Sequence, residues 1–321
     1  LSIARLAFAI RRLGCDIVYT NSITVGAGAI ASKLLGKPHI LHIREFGDDD
    51  FGLEYDWGRE RTRKLIGTLS AACIANSHAV ADEFRPEIGD IDVVYNSVSI
   101  PEQVADADDA PWRVPGALRC ILLGKVTPGT GQQEAISAFA RLAESNVPAE
   151  LLIMGPALGA HGSLISEMIN HHGLNDRVYL RGSTPHPIPY IKSADVLLMC
   201  SRREAFGRVT VEAMKLGKPV IGSRSGGTPE IIDSGRTGLL YRPGDSQELA
   251  GKIQYLYEHP SERQHMGETA RLQATRYNSD ELGDNVLKIL HRVMRERSQA
   301  AAYSKVQTIS HSVTGEDNRA A

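Results

Sequence analysis

The chain has 321 residues, 42% of them hydrophobic, which is enough for one large core or two of ordinary size. Lys and Arg number 36 against 38 Asp and Glu, and the resulting net charge of −2 excludes a protein built chiefly to hold nucleic acid. No apolar run reaches the roughly 20 residues that span a bilayer, and no secretory leader is legible, so the composition points to a globular, enzyme-sized protein, soluble or peripheral.

Residue 1 is Leu rather than Met, and residues 1–13 already read as a helix leading into a strand. The chain is therefore expected to begin inside a repeating β/α pattern, with an N-terminal segment missing. Short β-branched runs then alternate with helical stretches, the mark of parallel sheets with crossover helices. The first series of strands is expected at 17–20, 39–43, 72–76 and 92–95. A stretch rich in Pro, Asp and Ala, residues 101–116, interrupts it and reads as a linker. A second series follows at 119–123, 150–154, 178–181, 196–200, 219–222 and 238–241, with helices between its members, among them 132–145 and 246–257. The domains expected are thus 1–100 and 117–278. The amphipathic helix 279–297, apolar at Leu282, Val286, Leu287, Leu290 and Val293, is expected to brace the first domain. From 298 to 321 the composition turns polar, and disorder is expected. Cys15, Cys73, Cys120 and Cys200 form no CxxC pair and read as thiols in a reducing, cytoplasmic setting.

The most informative residues are Glu204-Ala-Phe-Gly-Arg-Val-Thr-Val-Glu212, two carboxylates around a Phe-Gly step where a polar loop enters a helix-like run. A helix N-terminus offers free amides and positive dipole to a pyrophosphate. Carboxylates beside such an anion hole suit hydroxyls instead, one for a sugar and one for a ribose. A solvated helix face is the competing reading of the glutamate pair. Gly124-Lys-Val-Thr-Pro-Gly-Thr-Gly131 follows the first strand of the second series and opens a helix, so Lys125 and the loop amides are placed to face a diphosphate, or else serve as an ordinary αβ connector.

The segment Ser201-Arg-Arg-Glu-Ala-Phe-Gly-Arg-Val-Thr-Val-Glu-Ala-Met-Lys-Leu-Gly-Lys-Pro-Val220 resembles the Glu-x7-Glu region of retaining family 4 glycosyltransferases of the GT-B fold. Gly226-Gly-Thr-Pro-Glu230, Gly238-Leu-Leu-Tyr-Arg-Pro-Gly-Asp245, Asn76-Ser77 and Tyr95-Asn-Ser-Val98 extend the likeness, which covers residues 16 to about 297. It implies an α/β architecture of two Rossmann-like, doubly wound domains facing each other across a cleft, with ligands at the C-terminal ends of the strands. It implies further that Glu204 contacts the donor sugar, that the amides of Phe206 and Gly207, in one loop with Ala205, lie beside the sugar hydroxyls and diphosphate, and that Glu212 binds the ribose.

The family's phosphate loop carries an Arg and then a Lys. Here Gly124, Lys125, Thr130 and Gly131 stand as donor-binding residues, but Thr130 occupies the second cationic position, a departure that bears on activity; Arg202, Arg203 and Arg208 are the alternative sources of charge. In the first domain His42, Arg44 and Glu45 end a strand and stand as candidate catalytic residues, Arg44-Glu45 taking the place of the family's His-Asp. A salt-bridged strand end is the competing reading.

The resemblance implies a retaining transferase moving a sugar from a nucleoside diphosphate to a hydroxyl acceptor, sugar or lipid-linked, in polysaccharide or glycolipid synthesis. A sugar-nucleotide epimerase and a non-catalytic sugar-nucleotide-binding subunit are the alternatives. No metal and no cofactor is expected, Asp48-Asp-Asp50 reading as a solvated loop. The basic run Arg59-Glu-Arg-Thr-Arg-Lys64 reads as a solvated helix face or as a peripheral contact with anionic lipid at the inner membrane face. Thr228, Pro229 and Glu230 read as an N-cap, a first helical residue and a first-turn acid.

Overall fold

A computed structural model of the chain describes residues 2–24, 26–47, 55, 58–157 and 159–314, with side chains described as far as residue 300. Asp48, Asp49 and Asp50 lie outside the described residues. The chain divides into two compact units, one made of residues 1–75, 81–94 and 282–321, the other of residues 76–80 and 95–281.

The first unit contains α1 (Ile3–Leu13), β1 (Val18–Thr20), α2 (Ala27–Leu34), β2 (His39–Ile43), α3 (Arg59–Leu69), β3 (Ala72–Ala75), most of α4 (His78–Ile88) and β4 (Asp92–Val93). Its four strands are parallel and lie in the order β1-β2-β3-β4. Every residue of β2 is buried, as a central parallel strand covered on both faces requires.

The second unit contains β5 (Leu118–Leu123), α5 (Gln132–Glu144), β6 (Ala149–Met154), α6 (Gly159–His171), β7 (Val178–Arg181), α7 (Ile188–Ser193), β8 (Val196–Met199), α8 (Arg208–Lys215), β9 (Val220–Ser223), α9 (Thr228–Ile231), β10 (Gly238–Tyr241), α10 (Ser246–Glu258) and α11 (Pro260–Gln273). Its parallel sheet has the order β10-β9-β8-β5-β6-β7. Successive strand residues feed opposite cores: Cys120, Leu122, Leu151, Ile153, Val196 and Leu198 face one, Ile121, Leu152, Met154, Leu197 and Met199 the other. The strand order reverses between β5 and β8, and that switch point is where open α/β sheets take ligands. The two loops singled out in the sequence, 124–131 and 200–207, leave these two strands.

All ten expected strands form, with ends within two residues of their expected positions. Three expectations are corrected. The last helix, α12 (Ser279–Thr314), continues well past residue 297, where disorder was expected. Ser298-Gln-Ala-Ala-Ala302 extends an existing helix with three alanines, so it needs no new nucleus. Residues 315–321 lie outside the described residues. Secondly, residues 101–116 cluster with the second unit instead of standing apart. Arg181 and Tyr190 both hold the Asp109 carboxylate, Trp112 donates to Ser193, and the buried Glu150 accepts from the Arg113 amide at 2.7 Å. Thirdly, Thr228 begins α9 and Gly227 is its N-cap residue.

On the first unit α12 buries Ile289 and Val293 against Ile40, Ile74 and Val94, and Arg292 pairs with Asp92. The apolar spacing read in the sequence supplies that contact face.

Candidate active site

Within the second unit, backbone hydrogen bonds and close approaches fasten three loops together. The Arg202 amide donates to the Gly129 carbonyl at 2.9 Å, which joins the loop after β8 to the loop after β5. The Gly227 amide donates to the Glu204 carbonyl at 2.7 Å, and Ser223 Oγ donates to the Ser201 carbonyl at 2.8 Å, which joins the loop after β9 to the same segment. Two glycines make such approaches possible. A Cβ on Gly131 would stand 2.2 Å from the Cys200 carbonyl oxygen, and one on Gly226 would stand 2.3 Å from that of Glu204; both residues have left-handed φ, +80° and +56°.

Glu204 is half-buried on this platform. Gly207, left-handed at φ 89°, is the N-cap residue of α8, and no side chain caps the helix. Within its first turn the Thr210 amide donates to the Gly207 carbonyl at 3.0 Å, which leaves the amides of Arg208 and Val209 without an intrahelical acceptor, and the first turn holds no acid. It begins instead with Arg208, a cation where the helix dipole disfavours one, and the guanidinium is 70% exposed. One turn on, Glu212 is only 13% exposed and lies 3.8 Å from Arg208. Burial raises the Glu212 pKa, and the Arg208 charge opposes that rise. Phe206, by contrast, turns inward: it is buried between Tyr95 and Tyr277, with ring centroids 6.1 and 5.7 Å away. The Phe-Gly step thus anchors its ring in the core.

In the loop after β5, Lys125 is exposed, while the buried Gln132 donates from Nε2 to the Lys125 carbonyl at 2.9 Å. Thr130 Oγ1 shares a 2.9 Å hydrogen bond with Thr127 Oγ1, so the position where the family places a cation is held by a hydroxyl pair. Among the described residues no group of three or more His, Cys, Asp or Glu is arranged to hold a metal ion.

In the first unit the three candidates at the end of β2 have different surroundings. Glu45 Oε1 accepts from Ser22 Oγ and, at 2.9 Å, from the Ile23 amide; Arg44 Nε donates to Asn21 Oδ1. Both side chains therefore fasten the loop between β1 and α2. His42 does not share their openness. Its ring is wholly buried, Nδ1 is hydrogen-bonded to the Tyr19 hydroxyl, and burial, helped by the Arg44 charge, pushes its pKa down to about 3. His42, expected on the same strand face as Arg44, is thus buried with the rest of β2, while Arg44 and Glu45 are partly exposed. The basic run on α3 is also not a uniform exposed face. Arg63 is buried over the Phe84 ring and bonded to Glu83, which also pairs with Arg59.

Sequence reasoning missed Glu230. Its carboxylate accepts from the amides of His78 and Ala79, both at 2.8 Å, and from the Tyr95 hydroxyl at 3.0 Å. In the sequence it reads as a first-turn acid, and no local pattern reveals partners more than a hundred residues away.

Two α/β units with parallel sheets, the second carrying carboxylates beside a helix start at its switch point, are of the GT-B fold class. The family model "Glycosyl transferases group 1" matches residues 114–273, and "Glycosyltransferase Family 4" matches residues 1–100. The chain belongs to the family 4, or group 1, glycosyltransferases. The D-inositol 3-phosphate glycosyltransferase of Arthrobacter sp. (strain FB24) is 29% identical over 279 residues, 81% of this chain and 66% of that one. The N-acetyl-alpha-D-glucosaminyl L-malate synthase of Bacillus anthracis is 32% identical over 165 residues, 51% of this chain and 42% of that one. The chain therefore spans less than two thirds of these relatives. Among solved structures, Anabaena Alr3699/HepE in complex with UDP superimposes with a TM-score of 0.76 at 23% identity, covering 90% of this chain and 82% of that one, which shows the fold.

Proposed function

We propose that this chain is a retaining glycosyltransferase that moves a sugar from a nucleoside diphosphate to a hydroxyl acceptor in polysaccharide or glycolipid synthesis. The observation that carries the reading is the pair Glu204 and Glu212 around the uncapped start of α8, on loops fastened together at the switch point. The diphosphate sits at the first amides of α8, with Lys125 and Arg208 adding positive charge where negative charge grows as the glycosidic bond breaks. Glu204 accepts hydrogen bonds from the donor sugar and Glu212 from the ribose. The departing diphosphate oxygen takes the acceptor proton on the face it leaves, which retains the anomeric configuration without a protein nucleophile. Arg44 and Glu45 shape the acceptor-side loop, and His42 supports it from beneath. No metal or further cofactor takes part in this scheme.

HepE was solved with UDP, with UDP and glucose, and with UDP-glucose, so uridine diphosphate sugars are the first donors to try. The four cysteines are free and three are buried, which supports a reducing cytoplasm. No helix among the described residues is long and apolar enough to cross a membrane. A peripheral lipid contact through α3 would rest on Arg61 and Lys64, since Arg63 is buried and Arg59 is paired.

Thr130 favours a second reading, a subunit that binds the sugar nucleotide without turning it over. Donor titration with product analysis separates the two. Transfer to an acceptor with the anomeric configuration kept supports the first; tight nucleotide binding with no turnover under any acceptor supports the second. Donor conversion without acceptor points to an epimerase.

A further inference from the structure

A cavity in the second unit lies beside β10, lined by none of the residues of the loops after β5 and β8. Its lining includes Leu239, at the N-terminal end of β10, and residues of α10 and α11, and its volume is about 400 Å³. That volume suits a small ligand. Leu239 and Met266 are buried and form an apolar floor. Around it stand Glu248, Lys252, Tyr255 and Glu262.

The polar groups are incompletely used. Glu248 Oε2 accepts from the Arg242 amide at 2.8 Å and Glu262 Oε2 accepts from the Tyr255 hydroxyl, which leaves one oxygen of each carboxylate without a protein partner among the described residues. Lys252 forms no ion pair there either, although Glu248 stands one turn before it on α10.

Gly251 supplies an independent observation. It sits in the middle of α10, where glycine costs about 1 kcal/mol relative to alanine. A Cβ on it would meet nothing within 4 Å, so packing gives no reason for glycine. Its place in the row Gly251–Tyr255–His259 gives one. His259 stacks on the Tyr255 ring at 4.3 Å, and Gly251, one turn before Tyr255 and part of the cavity lining, adds no side chain of its own to that space.

We propose that this cavity is an accessory carbohydrate site that binds a sugar ring without its nucleotide. A pyranose has an apolar C–H face for Tyr255 and the apolar floor. Its hydroxyls donate to the open oxygens of Glu248 and Glu262 and accept from Lys252. Two carboxylates against one ammonium disfavour a phosphorylated ligand, which separates this site from the donor loops. The proposal rests on the reading of the chain as a sugar-handling enzyme only for the choice of probe.

Saturation-transfer NMR of the full chain with millimolar maltose and with methyl α-glucoside, in the presence of saturating UDP, tests it. Ring-proton signals are expected with at least one of the two sugars, to persist in Glu204→Ala, and to weaken at least tenfold in Gly251→Met and in Tyr255→Ala. Gly251→Met removes a helix glycine and should melt no lower than the parent, so lost signal in it reports filling of the cavity. Absence of signal with both sugars, indifference to both cavity variants, or loss on adding UDP would overturn the proposal. None of these results bears on donor turnover, so the two readings fail separately.

Discussion

At the scale of single residues the chemistry divides by what each side chain can still reach. Glu204→Ala removes an acceptor from the loop while leaving its backbone bonds to Gly227, so kcat/KM for the correct donor should fall about 10²–10³-fold with melting unchanged. Glu212→Gln keeps the volume of the largely buried side chain but loses the charge, and steady-state kinetics should show mainly a raised donor KM. Thr130→Lys is the informative gain. Its hydroxyl shares a hydrogen bond with Thr127, and a cation there should raise kcat severalfold by stabilising the leaving diphosphate. An unchanged kcat would mean that Arg208 or Lys125 already supplies the charge.

At the scale of elements the segment 201–207 is held from two sides. Gly227 bonds its backbone, and Tyr95 and Tyr277 pack on Phe206, with Tyr95 itself bonded to Glu230. Glu230→Ala strands two helix amides and the Tyr95 hydroxyl, a loss of roughly 2–4 kcal/mol in urea denaturation. In a correctly folded fraction kcat should fall more than affinity for UDP, and Glu230→Gln, which keeps one carbonyl acceptor, should recover part of both. Equal activity in all three proteins would show that the donor segment does not depend on this anchor.

The strands were legible because most are short apolar runs bounded by turn residues, and the segment 204–212 stood out because carboxylates, glycine and helix start fall within nine residues. What was not legible is long-range. The partners of Glu230 come from distant segments, the burial of His42 depends on both neighbours of β2, and the inward turn of Phe206 depends on Tyr95 and Tyr277. The extension of α12 was missed for another reason: polar composition was weighed above the helix propensity of its alanines.

At the scale of the whole molecule, acid stability should report the first unit's buried histidines. Burial lowers the pKa of His39 to about 4, and that of His42 to about 3, against an unfolded value near 6.5. Both rings are neutral when folded, so the stability they contribute is fully present above pH 6.5 and is lost as pH falls toward those values. Each should add up to about 1.4 kcal/mol per pH unit to the slope of unfolding free energy in that window. Urea midpoints from pH 7 to 4.5 check the slope, and imidazole ¹⁵N shifts that remain neutral at pH 5 check the cause.

The most direct test of the central claim is a product assay of the chain with a panel of nucleoside diphosphate sugars and hydroxyl acceptors, run beside Glu204→Ala and Glu212→Ala. The account predicts transfer from one donor with retained anomeric configuration, and a strong loss in both variants at unchanged melting temperature. Wild-type turnover in both variants would contradict it.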